Sequence, residues 1–138
     1  MKIPLLFSKY DTVNANAVVK VMIGERKEIS VSFIIDTGCP FTFISLIPTE
    51  YNALSRSVGT KKYETLKWGN KQIRLLSLGG AEFTMQDKNG KTTIIKLKQL
   101  FLARIEEIPE SVLGIDFLRN SGVRLFLDPK NDYAHFEK

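Results

Sequence analysis

Short β-branched and apolar runs, each closed by a turn signal after a few residues, fill this chain from Val18 to Phe136, and that spacing favours a small, mainly β fold. Val18, Val19, Val21 and Ile23 alternate toward a polar stretch at residues 24–28. Residues 29–35 then form a second β-branched run that stops at Asp36, so the two runs read as a hairpin. Residues 41–46 follow the tight Gly38-Cys39-Pro40 turn as another strand. Ile73, Leu75 and Leu76 lead through Leu78-Gly79-Gly80 into a strand over residues 81–86, and Asn89-Gly90 is a strong hairpin turn. Residues 92–102 set Ile94, Lys96 and Lys98 on one side against Ile95, Leu97 and Gln99 on the other. Val123, Leu125 and Leu127 alternate again, and residues 133–136 return after a turn at 128–132.

Helices have little room. Pro48 suits the first turn of a short helix over residues 48–54, and residues 115–119 read as a second, with Asp116 as N-cap and Gly122 as its stop. Residues 55–69 show no clear period and read as a loop with a strand inside it. Many short strands with one or two short helices predict a small antiparallel β barrel or sandwich.

Length and composition narrow the function classes. At 138 residues the chain suits one domain, residues 1–138, and 43% hydrophobic with 25% charged residues is the balance of a globular protein. The apolar run at residues 3–7 is too brief for a signal peptide, and no stretch approaches the roughly 18 apolar residues of a membrane span. A soluble, cytoplasmic protein without a membrane partner is expected. Cys39 and His135 are the only residues of their types, so neither an internal disulfide nor a Cys/His metal cluster can form within one chain, and no cofactor is expected. The net charge of +5 is scattered, with Lys61-Lys62 and the Lys91, Lys96, Lys98 set its densest groups. Stacking aromatics interleaved with cations are lacking, so nucleic acid is not an expected partner.

The residues that point to chemistry are Asp36-Thr37-Gly38. An apolar strand, Phe33-Ile34-Ile35, delivers the Asp36 carboxylate to the edge of the core, where an acid or base is most useful. Gly38 has no Cβ, so its amide can approach that carboxylate, and the Thr37 hydroxyl can tie the loop to its surroundings. Cys39 as a nucleophile would need a base, and the sole His135 sits in a terminal strand, so a small buried residue is the simpler reading.

In this order and context the chain resembles the retropepsin-like aspartic peptidases, the single-lobed relatives of pepsin that include the retroviral proteases. The resemblance runs from about Val18 to Phe136. It rests on the apolar strand into Asp36-Thr37-Gly38, on Leu78-Gly79-Gly80 as a Gly-rich flap tip, and on Val112-Leu113-Gly114 followed by a short helix. It implies a closed β barrel of the retropepsin type in which Val112, Leu113 and Gly114 brace the catalytic loop, Asp36 is catalytic with Thr37 and Gly38 in support, and Leu78, Gly79 and Gly80 cover an extended polypeptide substrate. Phe41 and Leu78 would line its pockets. Such enzymes use two aspartates, and the chain has one Asp-Thr-Gly; Asp11-Thr12-Val13 lacks the glycine. The second aspartate must come from another copy, so a homodimer is expected. Retroviral members usually pair an Asp after the first motif with an Arg after the later glycine. Here those positions are Cys39-Pro40 and Gly114-Ile115, which places the resemblance nearer the cellular and microbial branch.

Overall fold

The computed structural model describes residues 2–8, 14–24 and 27–138. Asp11-Thr12-Val13, and Glu25 and Arg26 of the turn expected at 24–28, lie outside the described residues. The elements run β1 (Lys2–Ser8), β2 (Asn14–Ile23), β3 (Lys27–Ile35), β4 (Phe43–Leu46), α1 (Pro48–Arg56), β5 (Tyr63–Trp68), β6 (Lys71–Gln86) and β7 (Thr92–Arg104). They continue with β8 (Ser111–Leu113), α2 (Ile115–Ser121), β9 (Arg124–Asp128), a 3-10 turn (Pro129–Asn131) and β10 (Tyr133–Glu137).

The strands are ordered β5-β6-β7-β4-β8-β3-β2-β1-β10-β9, and a further pairing of β6 with β2, from Lys20↔Thr84 to Ile23↔Ala81, closes the ring. The fold is therefore mainly β, a closed barrel of six strands (β2, β3, β8, β4, β7 and β6) with two short helices. Closure removes the open edges that a flat sheet would expose. One refinement concerns direction. Most neighbours are antiparallel as expected, but β8 runs parallel to β3 and β4 runs parallel to β7. β8 is inserted between β3 and β4, and that insertion brings sequence-distant strands side by side.

Alternation explains the burial. Along β7, Ile95 and Leu97 are buried while Ile94, Lys96 and Lys98 face solvent, the two sides read from the sequence. The rings of Phe33, Phe83, Phe117 and Phe136 form a continuous stack through the core, with successive centroids 5.5, 5.5 and 5.6 Å apart. All four are fully buried, and each contributes roughly 1.5–3 kcal/mol by leaving water. Because they come from β3, β6, α2 and β10, the stack pins α2 and the last strand against the barrel. A second cluster, with Phe43, Leu66, Ile73, Leu75, Phe101, Ile108 and Val112, lies under the β5–β6 hairpin.

Leu78-Gly79-Gly80 does not form a hairpin tip. It lies inside β6, where the pairing to β7 shifts register between Ser77 and Gly79 and again between Gly79 and Ala81. Gly79 has φ +80°, which only glycine adopts at little cost, and the resulting bulge bends the long strand. The first half of β6 pairs with β5 and the second half closes the barrel on β2. The expected Asn89-Gly90 turn does join β6 to β7: Asp87 Oδ1 accepts from the amides of Asn89 and Lys91 at 2.9 and 2.8 Å, and Gly90 has φ +81°.

Candidate active site

β3 ends at Ile35, and the loop that follows turns back at once. The Asp36 amide donates to the Leu113 carbonyl at 3.1 Å, and the Cys39 amide donates to the Asp36 carbonyl at 3.1 Å. The Gly38 amide donates to Asp36 Oδ1 at 2.9 Å, which fixes one oxygen of the carboxylate. A Cβ on Gly38 would sit 3.2 Å from that same oxygen, so glycine is what allows the approach. Asp36 is half-buried, while Thr37, Gly38 and Pro40 are exposed.

Behind the loop lies the Val112-Leu113-Gly114 segment. Val112 sits between Ile34 of β3 and Phe43 of β4. The Ile115 amide donates to the Cys39 carbonyl at 2.8 Å, so with the Asp36–Leu113 bond the segment holds both ends of the turn. Gly114 passes so close beneath the loop that a Cβ there would lie 2.5 Å from the Phe41 carbonyl oxygen and 2.7 Å from that of Cys39. No other residue type fits that crossing.

Asp116 is not the N-cap of α2. Gly114 occupies that position, and Asp116 lies in the first turn. Its Oδ1 accepts from the Phe117 amide at 2.8 Å and from the Thr42 hydroxyl at 2.6 Å, and its Oδ2 accepts from the Thr42 amide at 3.1 Å. The Thr42 hydroxyl in turn accepts from the Gly114 amide at 3.0 Å. A carboxylate in the first turn also faces the partial positive charge of the helix start. Thr42 and Asp116 thus join loop to helix where the sequence has Pro40 and Ile115 in place of a charge pair.

In front of the loop is a cleft of about 280 Å³ lined by Asp36, Gly38, Cys39 and Pro40 on one side and by Leu66, Lys67, Trp68 and Gly69 on the other. The second wall is the tip of the β5–β6 hairpin. Gly69 has φ +60° and, with Asn70, links Trp68 to its cross-strand partner Lys71. A glycine in first place is the pattern of a tight II′ turn. Trp68 is half-buried, edge-on to Phe43 at 6.1 Å, which anchors the tip over the cleft. Leu78 lines a separate cavity with Ile23, Leu54 and Val58, and Phe41 packs against Phe101 at 5.0 Å. Neither residue lines the Asp36 cleft. Nothing in the sequence reading singles out Trp68 or Thr42. Gly69-Asn70 between alternating residues was the available signal for the first, and no local signal marked the second.

Cys39 is buried at the base of this site and donates to the Phe41 carbonyl at 3.3 Å. Burial pushes its thiol above the ordinary value, the hydrogen bond to Phe41 opposes this, and the nearby Asp36 and Asp116 charges add to the rise. Less thiolate means less nucleophile. Cys39 is therefore expected to react with a disulfide reagent at neutral pH at least about tenfold more slowly than an exposed cysteine. Reaction at the exposed rate would show that the loop opens. Among the described residues no three Cys, His, Asp or Glu side chains gather as a metal site, and no helix is long and apolar enough to cross a membrane.

No family model matches the sequence, and no curated protein does. Solved structures do match the fold. One is EIAV protease complexed with the inhibitor HBY-793, with a TM-score of 0.50 and 20% identity over 87% of this chain and 100% of that one. At that identity the likeness concerns the backbone alone, and with the closed six-strand barrel it gives the fold as of the retropepsin, or acid protease, type.

Proposed function

We propose that residues 1–138 are one retropepsin-like aspartic peptidase domain, an endopeptidase that works as a homodimer on extended polypeptide segments. The observation that carries this is Asp36: a carboxylate fixed by the Gly38 amide, on an exposed loop braced from behind and faced by a hairpin tip across a cleft. The chain has one Asp-Thr-Gly, so a twofold dimer is the simplest source of a second such aspartate. The exposed Thr37 and Gly38 would lie near the axis.

Two carboxylates close together cannot both ionise cheaply, so the pair shares one proton, behaviour for which aspartic proteases are the standard example. The ionised member takes a proton from a water, whose oxygen attacks the peptide carbonyl carbon. The protonated member gives its proton to the carbonyl oxygen, forming a neutral diol. Collapse of the diol breaks the C–N bond as the carboxyl that took the water's proton passes it to the nitrogen and a diol hydroxyl gives its proton to the other carboxylate, which restores the shared proton. The β5–β6 hairpin would serve as the flap, with Trp68 excluding water and the outer edge of β5 offering main-chain groups to an extended substrate. The flap expected at Leu78-Gly79-Gly80 is thereby reassigned to Trp68, Gly69 and Asn70.

The test is cleavage of an unfolded protein at acidic pH across a dilution series. Activity per chain is expected to fall steeply once sedimentation shows the dimer dissociating. Undiminished activity from a strictly monomeric species would contradict a shared site, and a stable dimer without cleavage at any pH would favour a peptide-binding module.

A further inference from the structure

We infer that Thr42 and Asp116 form a positioning pair that sets the height of the Asp36 loop; this rests on the proposed activity. Thr42 is fully buried and every polar group it has is used. Its amide and hydroxyl both donate to Asp116, its hydroxyl accepts from Gly114, and its carbonyl accepts from the Phe101 amide at 3.1 Å. The residue therefore ties four things together: the outgoing end of the Asp36 loop, the Gly114 crossing, the first turn of α2 and strand β7. The pair spans 74 positions of sequence. Both residues lie outside the Asp36 cleft, so the pair acts on the carboxylate only through the backbone it holds.

The chemistry of the pair is restrictive. Asp116 meets three donors, two on Oδ1 and one on Oδ2, and offers acceptors to all of them. An Asn there presents an NH2 to at least one donor, whichever way its amide is turned. A Val at 42 keeps the volume but orphans the Gly114 amide and takes from Asp116 Oδ1 one of its two donors. A Ser keeps the hydroxyl. Since a misplacement of about 1 Å at a reacting group costs on the order of a hundredfold in rate, a loosened loop is read first in kcat.

Thr42→Val, Thr42→Ser and Asp116→Asn are compared with the wild-type chain for kcat and KM on one peptide, melting, dimer content and the reaction rate of the Cys39 thiol. Thr42→Val and Asp116→Asn are expected to fold and dimerise, to lose about ten- to a hundredfold in kcat with KM nearly constant, and to expose Cys39 faster. Thr42→Ser is expected to rescue most of the loss. Unchanged kcat in Thr42→Val, equal losses in Thr42→Val and Thr42→Ser, or unfolding of both Thr42→Val and Asp116→Asn would overturn the positioning role. The thiol rate needs no turnover, so it separates two failures. A wild-type chain that cuts nothing overturns the activity, while a Thr42→Val thiol as slow as wild type overturns the pair.

Discussion

Asp36→Asn is expected to abolish peptide cleavage, with kcat down by about a thousandfold or more, while the melting temperature stays within a few degrees of wild type. The amide matches the carboxylate in shape, and its oxygen can still accept the Gly38 amide now bound at 2.9 Å. What it cannot do is take a proton from water or share one with a partner carboxylate. Asp36 is only half-buried, so the exchange costs little stability, on the order of 0.5 kcal/mol. Mixing supplies a second readout. If the site needs one Asp36 from each chain, heterodimers are inactive, and activity should follow the square of the wild-type fraction. A linear dependence would place a complete site within one chain, and cleavage that survives the substitution would sink the mechanism.

Gly114→Ala should be the most damaging small substitution in the chain, with a loss of about 3 kcal/mol or more and a fall in Tm of about 10 °C. The new Cβ would meet the Phe41 carbonyl oxygen at 2.5 Å and the Cys39 carbonyl oxygen and Phe41 carbonyl carbon each at 2.7 Å. All three are backbone atoms, so no side chain can swing aside. Relief requires the loop to rise off the crossing, which breaks the Ile115–Cys39 and Gly114–Thr42 hydrogen bonds and displaces Asp36. Gly59→Ala is the control, since nothing lies within 4 Å of its added methyl, and it should stay within about 0.5 kcal/mol of wild type. Thermal melting decides the comparison. A Gly114→Ala chain that melts within about 2 °C of wild type would mean the crossing is looser than its geometry indicates.

Much of the barrel was legible because its signals are local. The β2–β3 hairpin, the Asn89-Gly90 turn, the two faces of β7 and the Gly122 stop of α2 each depend on a few neighbouring residues. The errors share a cause. Leu78-Gly79-Gly80 looked like a tip because two glycines mark turns and bulges alike, and the difference lies in whether the flanking residues pair with each other or with a third strand. Here they pair with β7, and Ala81 also pairs with Ile23 of β2. Asp116 looked like a cap because Asp often is one, but the residue that draws its carboxylate away, Thr42, is 74 positions distant. β1 went unread because its apolar residues were weighed only as a possible leader; its pairing with β10 and β2 makes it a strand.

By itself the sequence determined the alternation that makes strands, the turns that end them, and the placing of Asp36-Thr37-Gly38 after an apolar strand end, since these follow from backbone preference and side-chain period. The count of one Asp-Thr-Gly was there as well. Only the tertiary structure decided which hairpin overhangs Asp36, that Gly114 must be glycine, and that Thr42 and Asp116 close the loop from behind. Those depend on strand order, and strand order is set by how distant apolar faces cover one another, which no local stretch of sequence records.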